Sequence, residues 1–183
     1  MPSRIGRTLR EIGLANLLWN KLEVLWYLYF TCLMSHTDRL QVDAIYRSHD
    51  TGSKKRSLIG SVASEVLNGD TSMLETVRTL IRRTNEAAST RNALIHADFH
   101  ITEEEGIFDL GVSPGGDHSK KNRLAGQELE EELARFISTL RVLVSDVDLL
   151  LPTGPTMPPG ISGPITTLQW VQLLEDALAT EGD

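Results

Sequence analysis

The sequence predicts an all-α fold, a four- or five-helix bundle with a small β-hairpin insertion and a tethered C-terminal helix. Several long stretches place apolar residues at helical steps, one stretch alternates polar and apolar residues, and a Pro- and Gly-rich stretch precedes the last apolar stripe. We therefore expect residues 1–151 to form the bundle, 152–164 a Pro/Gly-rich tether, and 165–183 an amphipathic helix and tail.

The first predicted helix runs from about residue 4 to 35, and past Leu22 it is apolar almost all round. Such a helix lies at the centre of a bundle or in a dimer interface. Trp19 and Trp26 share a face, which is typical of core residues; the alternative is a platform on which nucleic-acid bases stack. A small-ligand pocket lined by these aromatics is a further alternative, but the helix has no polar constellation to support it.

Three further helices are predicted before residue 97. The second is capped by Thr37-Asp38 and runs to about Arg47, and the third spans about 57–67 and stops at Asn68-Gly69, which suits a left-handed C-cap. The fourth starts at Asp70 or Thr71-Ser72, and Glu75 is spaced to complete a capping box with Ser72.

The second half of the chain is more varied. Residues 98–102 and 106–110 alternate around a Glu-rich turn and predict a β-hairpin, followed by a loop over 112–123. Residues 125–151 form the last bundle helix, with a Glu-rich first turn that complements the helix dipole. The amphipathic helix at 165–179 docks on its own bundle, on a second subunit or in a partner's groove, and the first is preferred.

Composition limits the functional classes. The net charge of -7 argues against a general polyanion-coating protein, although a local basic patch can still bind RNA. The single cysteine, Cys32, excludes an intramolecular disulfide and fits a reducing, cytoplasmic setting. The densest apolar run, 24–34, is about half the length that spans a bilayer, so we expect neither a membrane span nor a signal peptide.

Two basic clusters are candidate RNA contacts. Lys54-Lys55-Arg56 is predicted at a helix start, where cations oppose the helix dipole, so phosphate contact is the alternative to a solvated helix start. Arg78 and Arg82 are four residues apart with Arg83 beside them. They form either a charged outer face or a basic approach to the motif that follows.

That motif is Arg91-Asn92-Ala93-Leu94-Ile95-His96. A guanidinium presents a planar fork of donors that suits a phosphate, and histidine exchanges a proton near neutral pH. Together they suit metal-independent handling of a phosphodiester. The alternative is structural: Arg91 forms a salt bridge to a neighbouring helix, and His96 caps or packs.

The Arg-Asn-x-x-x-His pattern near the end of a long helix resembles the HEPN superfamily, whose helical, often dimeric domains include metal-independent endoribonucleases and toxins. The resemblance covers about residues 4–151 and is strongest at 85–98. It implies an active site containing Arg91 and His96, with Asn92 in support. Some toxin members carry a modifiable Tyr two residues after the His, whereas this chain has Asp98 there.

Helical geometry complicates this assignment, because five residues separate Arg91 and His96 by roughly 140° about an ideal axis. Either the helix ends or loosens before His96, or two chains related by a twofold axis combine their groups. The resemblance favours a homodimer.

The stretch after Ile95 contains residue types that bind metals: His96, Asp98, His100 and the glutamates at 103–105. A His-x3-His pair suits a helix, however, whereas this segment is predicted to be extended. We therefore expect no metal and no cofactor.

The first functional hypothesis is RNA cleavage through attack of the 2′-hydroxyl on the adjacent phosphate, with His96 as general acid or base and Arg91 stabilising the phosphoryl charge. The second is a non-catalytic helical dimer that binds RNA or a protein partner such as an antitoxin.

Overall fold

The structure is a computed structural model, and it describes residues 4–95, 99–104, 107–112 and 129–152. In chain order these residues form α1 (Arg4–Leu33), α2 (Arg39–Arg47), α3 (Gly52–Val66), α4 (Thr71–Ile95), β1 (Phe99–Glu104), β2 (Ile107–Val112) and α5 (Leu129–Asp148). The predicted helical bundle is confirmed. Several predicted features lie outside the described residues: His96, Asp98, most of the predicted loop at 112–123, the tether beyond Pro152 and the C-terminal helix.

The centre of the bundle is α1, as its apolar sequence predicts. Leu22, Trp26 and Phe30 have no exposed surface. The indole Nε1 of Trp26 donates a hydrogen bond of 3.2 Å to Oγ1 of the buried Thr84 on α4, which satisfies the one polar atom of the ring. Trp19 and Trp26 are core residues, and the alternative of a base-stacking platform is wrong.

The main partner of α1 is α5, whose apolar stripe is buried from Leu129 to Val147. Glu11 of α1 lies within electrostatic range of Glu130 at the start of α5. Further along α1, Trp26 binds Thr84, and the adjacent Arg83 pairs with Asp146 near the end of α5. The two helices therefore run in the same direction.

Local capping moves the predicted start of α3 and selects Asp70 among the predicted starts of α4. The Oγ1 of Thr51 accepts a hydrogen bond from the backbone N–H of Lys54 at 3.3 Å, so α3 begins at Gly52 rather than near residue 57. Asp70 accepts from the N–H of Met73 at 2.9 Å and caps α4, so the predicted Ser72 capping box is wrong. Gly69 adopts a φ of 108° between α3 and α4, which supports the predicted left-handed turn.

The segment after α4 contains an antiparallel strand pair, in which Phe99 lies opposite Val112 and Glu104 opposite Ile107. These strands occupy the stretch whose alternation predicts a hairpin. β2 lies against α1. None of the helices that the structure describes is long and apolar enough to cross a membrane.

Candidate phosphodiester site and basic groove

Arg91 lies one turn before the end of α4, between solvent and core. Its side chain is half-buried, while Ala93 and Leu94 beside it are buried. One terminal nitrogen, Nη1, donates to Oδ1 of Asn92 at 3.2 Å. The Nε atom is buried and has no hydrogen-bond partner among the described residues. Because an unsatisfied buried donor is costly, this nitrogen is suited to receive an acceptor.

Of the other two polar residues of the motif, the structure describes Asn92 but not His96. Asn92 is exposed and contacts the Arg91 guanidinium directly. His96 follows the last residue of α4, Ile95, and lies outside the described residues, as does Asp98. The distance between Arg91 and His96 is therefore not part of the described structure, and their convergence stays a prediction.

A groove of about 650 Å³ lies between α3 and α4. Most of its lining residues are polar, and one of them, Glu86, is acidic: Arg56, Ser57, Ser61, Ser64, Arg78, Arg82, Asn85 and Glu86. The hydroxyls of Ser61 and Ser64 donate to backbone carbonyls of α3, so Arg78 and Arg82 are the groups that an anion can contact. Gly60 brings the two helices together, because a Cβ atom at this position would lie 3.3 Å from Cδ1 of Ile81. The sequence predicted the arginines but missed the serines, whose spacing of four and three residues places them on one side of α3.

The two exposed arginines of this groove differ in their partners. Arg82 forms a 2.8 Å ion pair with Glu86 on its own helix, in which both side chains are largely exposed. Arg78 has no ion-pair partner in the part of the chain that the structure describes. Exposed pairs within one helix are weak, so an incoming anion can compete for Arg82 as well as bind Arg78. The groove therefore suits phosphate oxygens.

Arg83 does not belong to the same surface. It forms a 2.7 Å ion pair with Asp146 and joins α4 to α5. It lines a second groove of about 820 Å³, to which Asp70, Glu75 and Asp146 contribute carboxylates. The predicted cluster of Arg78, Arg82 and Arg83 is thus split between two sides of α4, because adjacent residues of a helix point about 100° apart.

The Lys54-Lys55-Arg56 triplet is also split, because α3 begins before it. Lys54 pairs with Asp50 at 2.9 Å in an exposed contact, and Lys55 lies over the Tyr46 ring with Nζ 4.9 Å from its centroid. Arg56 is 2 % exposed and pairs with Glu23 at 2.6 Å. Its guanidinium forms part of the floor of the α3–α4 groove and is held by protein groups, so it does not act as an exposed phosphate contact.

One half-buried carboxyl group, that of Glu11, has no counterpart among the predicted site residues. The Oε2 atom of Glu11 is buried and has no hydrogen-bond partner among the described residues. Burial raises the pKa of Glu11, Glu130 raises it further, and Arg7 opposes the shift. A glutamate within the apolar stripe of α1 was the sequence feature that could have indicated this position.

Across residues 4–95 and 129–152 and the two strands, no group of three His, Cys, Asp or Glu side chains is arranged to hold a metal ion. Burial raises the pKa of the Cys32 thiol, which lowers its thiolate fraction at neutral pH. Comparisons with protein-family models, with curated proteins and with solved structures gave no match to this chain.

Proposed function

We propose that this chain is a HEPN-like, metal-independent endoribonuclease whose Arg91/His96 site lies at a homodimer interface. The observation that supports this most is the state of Arg91. It is half-buried, it carries a buried Nε with no partner among the described residues, and its guanidinium donates to the neutral amide of Asn92. Arg56, Arg82 and Arg83, in contrast, each pair with a carboxylate.

In the proposed reaction, the 2′-hydroxyl of the RNA attacks the adjacent phosphorus, and the bond to the 5′-oxygen of the next nucleotide breaks. The products are a 2′,3′-cyclic phosphate and a 5′-hydroxyl. His96 accepts the proton of the attacking hydroxyl or delivers one to the leaving oxygen. Arg91 stabilises the negative charge on the non-bridging oxygens, and Asn92 orients the guanidinium.

The experiment is incubation of the purified protein with single-stranded RNA in the presence of a chelator, followed by analysis of the new ends. We expect 2′,3′-cyclic phosphate ends, and a loss of at least about 100-fold in rate for Arg91→Ala or His96→Ala. Arg135→Ala is the matched control, because Arg135 is exposed on α5. An inert wild type, or cleavage that survives the double substitution, would contradict the proposal.

The dimer is tested by mixing two inactive variants. If Arg91 of one chain acts with His96 of the other, a heterodimer of Arg91→Ala and His96→Ala chains contains one site with both residues intact. Mixing then restores part of the activity. Each chain carrying its own complete site predicts no restoration, which would contradict a shared interface site.

The alternative function is a non-catalytic helical dimer that binds RNA or a protein partner. The groove between α3 and α4 favours the RNA form of this alternative, because it supplies Arg78 and Arg82 independently of His96. RNA binding without any cleavage, abolished by substitutions in this groove and unaffected by His96→Ala, would select it.

A further inference from the structure

The outward side of α1 carries an exposed apolar face. Leu9, Leu17 and Val24 are 55 %, 47 % and 49 % exposed. With Gly13 and Asn20 they form a series along α1, with successive members four, four, three and four residues apart. This spacing places all five residues on one side of the helix, within a sector of about 80° around its axis. We name these five residues the α1 outer strip. It contains no charged residue, it is about 22 Å long, and a Cβ atom at Gly13 would meet nothing within 4 Å.

The charges beside the α1 outer strip are basic except for Glu23, which is ion-paired with Arg56. Arg7 and Arg10 are exposed near its N-terminal end, and Lys21 is half-buried at its edge. The first turn of α1 contains no acidic residue, so the side chains of that turn do not offset the positive end of the helix dipole. A partner for this strip should therefore be apolar along its length and acidic at the end near Arg7 and Arg10.

An antiparallel second copy of α1 does not meet these requirements. In an antiparallel pair of identical helices, each edge faces the same edge of the other copy. Arg10 of one copy would then lie beside Lys21 of the other. This arrangement brings like charges together, which opposes the association.

The C-terminal segment of the same chain meets the requirements. Residues 153–183 contain no Lys or Arg and carry four acids, all near the end: Glu175, Asp176, Glu181 and Asp183. The helix predicted at 165–179 has an apolar stripe that includes Leu168, Val171, Leu174 and Leu178. Its 15 residues correspond to about 22 Å of helix, which is the length of the α1 outer strip.

The direction of entry also fits. Because α1 and α5 run in the same direction, the described chain ends at Pro152 beside the C-terminal half of α1. The tether from Pro152 to Ile165 spans at most about 45 Å, enough to reach Val24. A helix that enters from there and returns along α1 lies antiparallel to it, with Glu181 close to Arg7 and Arg10.

We propose that residues 165–179 dock as an antiparallel helix on the α1 outer strip, with their apolar side on Leu9, Leu17 and Val24 and their acidic end beside Arg10. Burial of these three side chains supplies the main driving force, and the charges determine the orientation. This docking is independent of the proposed RNA chemistry.

Disulfide trapping in the full chain tests the contact and its direction. In a Cys32→Ser background, the pair Leu9→Cys with Leu178→Cys places both cysteines at the same end of the proposed contact. The pair Leu9→Cys with Leu168→Cys places them at opposite ends, about 15 Å apart along the helix. Leu40→Cys with Leu178→Cys is a surface control, because Leu40 on α2 is 78 % exposed.

We expect the first pair to form an intramolecular disulfide under mild oxidation several-fold faster than the other two pairs, and Arg10→Glu to slow it. Equal rates for the Leu178 and Leu168 pairs would contradict the antiparallel docking. Preferential linkage of Leu40 to Leu178 would place the helix elsewhere. Cross-linked dimers instead of cross-linked monomers would show that the strip binds a second copy, and each of these results would overturn the proposal.

Discussion

The guanidinium of Arg56 lies 2.6 Å from the carboxylate of Glu23, in an ion pair that joins α3 to α1 inside the bundle. Nε of Arg56 also donates to Oδ1 of Asn85 on α4 at 2.8 Å. The Arg56 side chain is 3 % exposed and that of Glu23 28 %. Three helices thus meet at one buried cation, which positions α3 and α4 on either side of the basic groove.

Replacing Arg56 by Met should destabilise the fold strongly. The substitution retains most of the buried volume but leaves Glu23 and Asn85 without their partner, and breaking a buried pair from one side costs about 3 kcal/mol. The free energy of unfolding in urea measures this. Arg82→Met is the matched control and should cost less than about 1 kcal/mol, because it removes an exposed pair. Equal losses of unfolding free energy in the two variants would show that the buried ion pair contributes no more to stability than the exposed one.

Gly52 should resist substitution because it packs against this ion pair. A Cβ atom there would lie 3.0 Å from Nη1 of Arg56 and 3.1 Å from Oε1 of Glu23, and the ion pair limits how far either atom can move. We expect Gly52→Ala to lower the free energy of unfolding by about 1 kcal/mol, whereas Gly13→Ala, in open space on α1, should raise it by about 0.5 kcal/mol. A gain at Gly52 would contradict the tight packing inferred here.

Glu11 should make stability depend on pH. Because burial, and then Glu130, raise its pKa in the folded state above the usual 4.5, the folded protein binds more protons than the unfolded chain in that range. Stability is therefore highest below about pH 4.5 with respect to this group and falls as pH rises through the raised pKa.

Urea unfolding between pH 4 and 7 measures this contribution as the difference between wild type and Glu11→Gln. We expect the variant to gain stability relative to wild type as pH rises. Glu65→Gln, at an exposed position on α3, is the control variant. A difference between wild type and Glu11→Gln that is independent of pH would contradict the raised pKa.

Substitutions on the two sides of α4 should have different effects on the affinity for RNA. Arg78→Ala should weaken binding of single-stranded RNA and reduce the slope of log affinity against log salt by about 0.7, the value for one lost phosphate contact. Arg83→Ala should leave that slope unchanged and lower stability instead, because Arg83 pairs with Asp146. Fluorescence anisotropy at several salt concentrations separates the two, and identical slopes for Arg78→Ala and wild type would exclude the groove as an RNA contact.

The helices and the core could be predicted from local features of the sequence, namely apolar periodicity and capping residues. The apolar sequence of α1 past Leu22 predicted a buried helix with Trp26 in the core, and Asp38 and Gly69 marked helix limits, because side-chain periodicity and capping act within a few residues. Thr51 was the missed cap, and missing it shifted the start of α3 and made Lys54, Lys55 and Arg56 look like one exposed cluster.

The direction and partner of each charged side chain depended on the tertiary structure. Nothing within α3 distinguishes the exposed Lys54 from the buried Arg56; the difference is Glu23, 33 residues away on α1. Likewise, Asp146 on α5 separates Arg83 from Arg82, its neighbour in sequence. The sequence by itself determined the helical class, the core stripes and the Arg91 motif, because these depend on local spacing. The tertiary structure decided which cations are paired and which face the groove, because ion pairs form between elements distant in the chain.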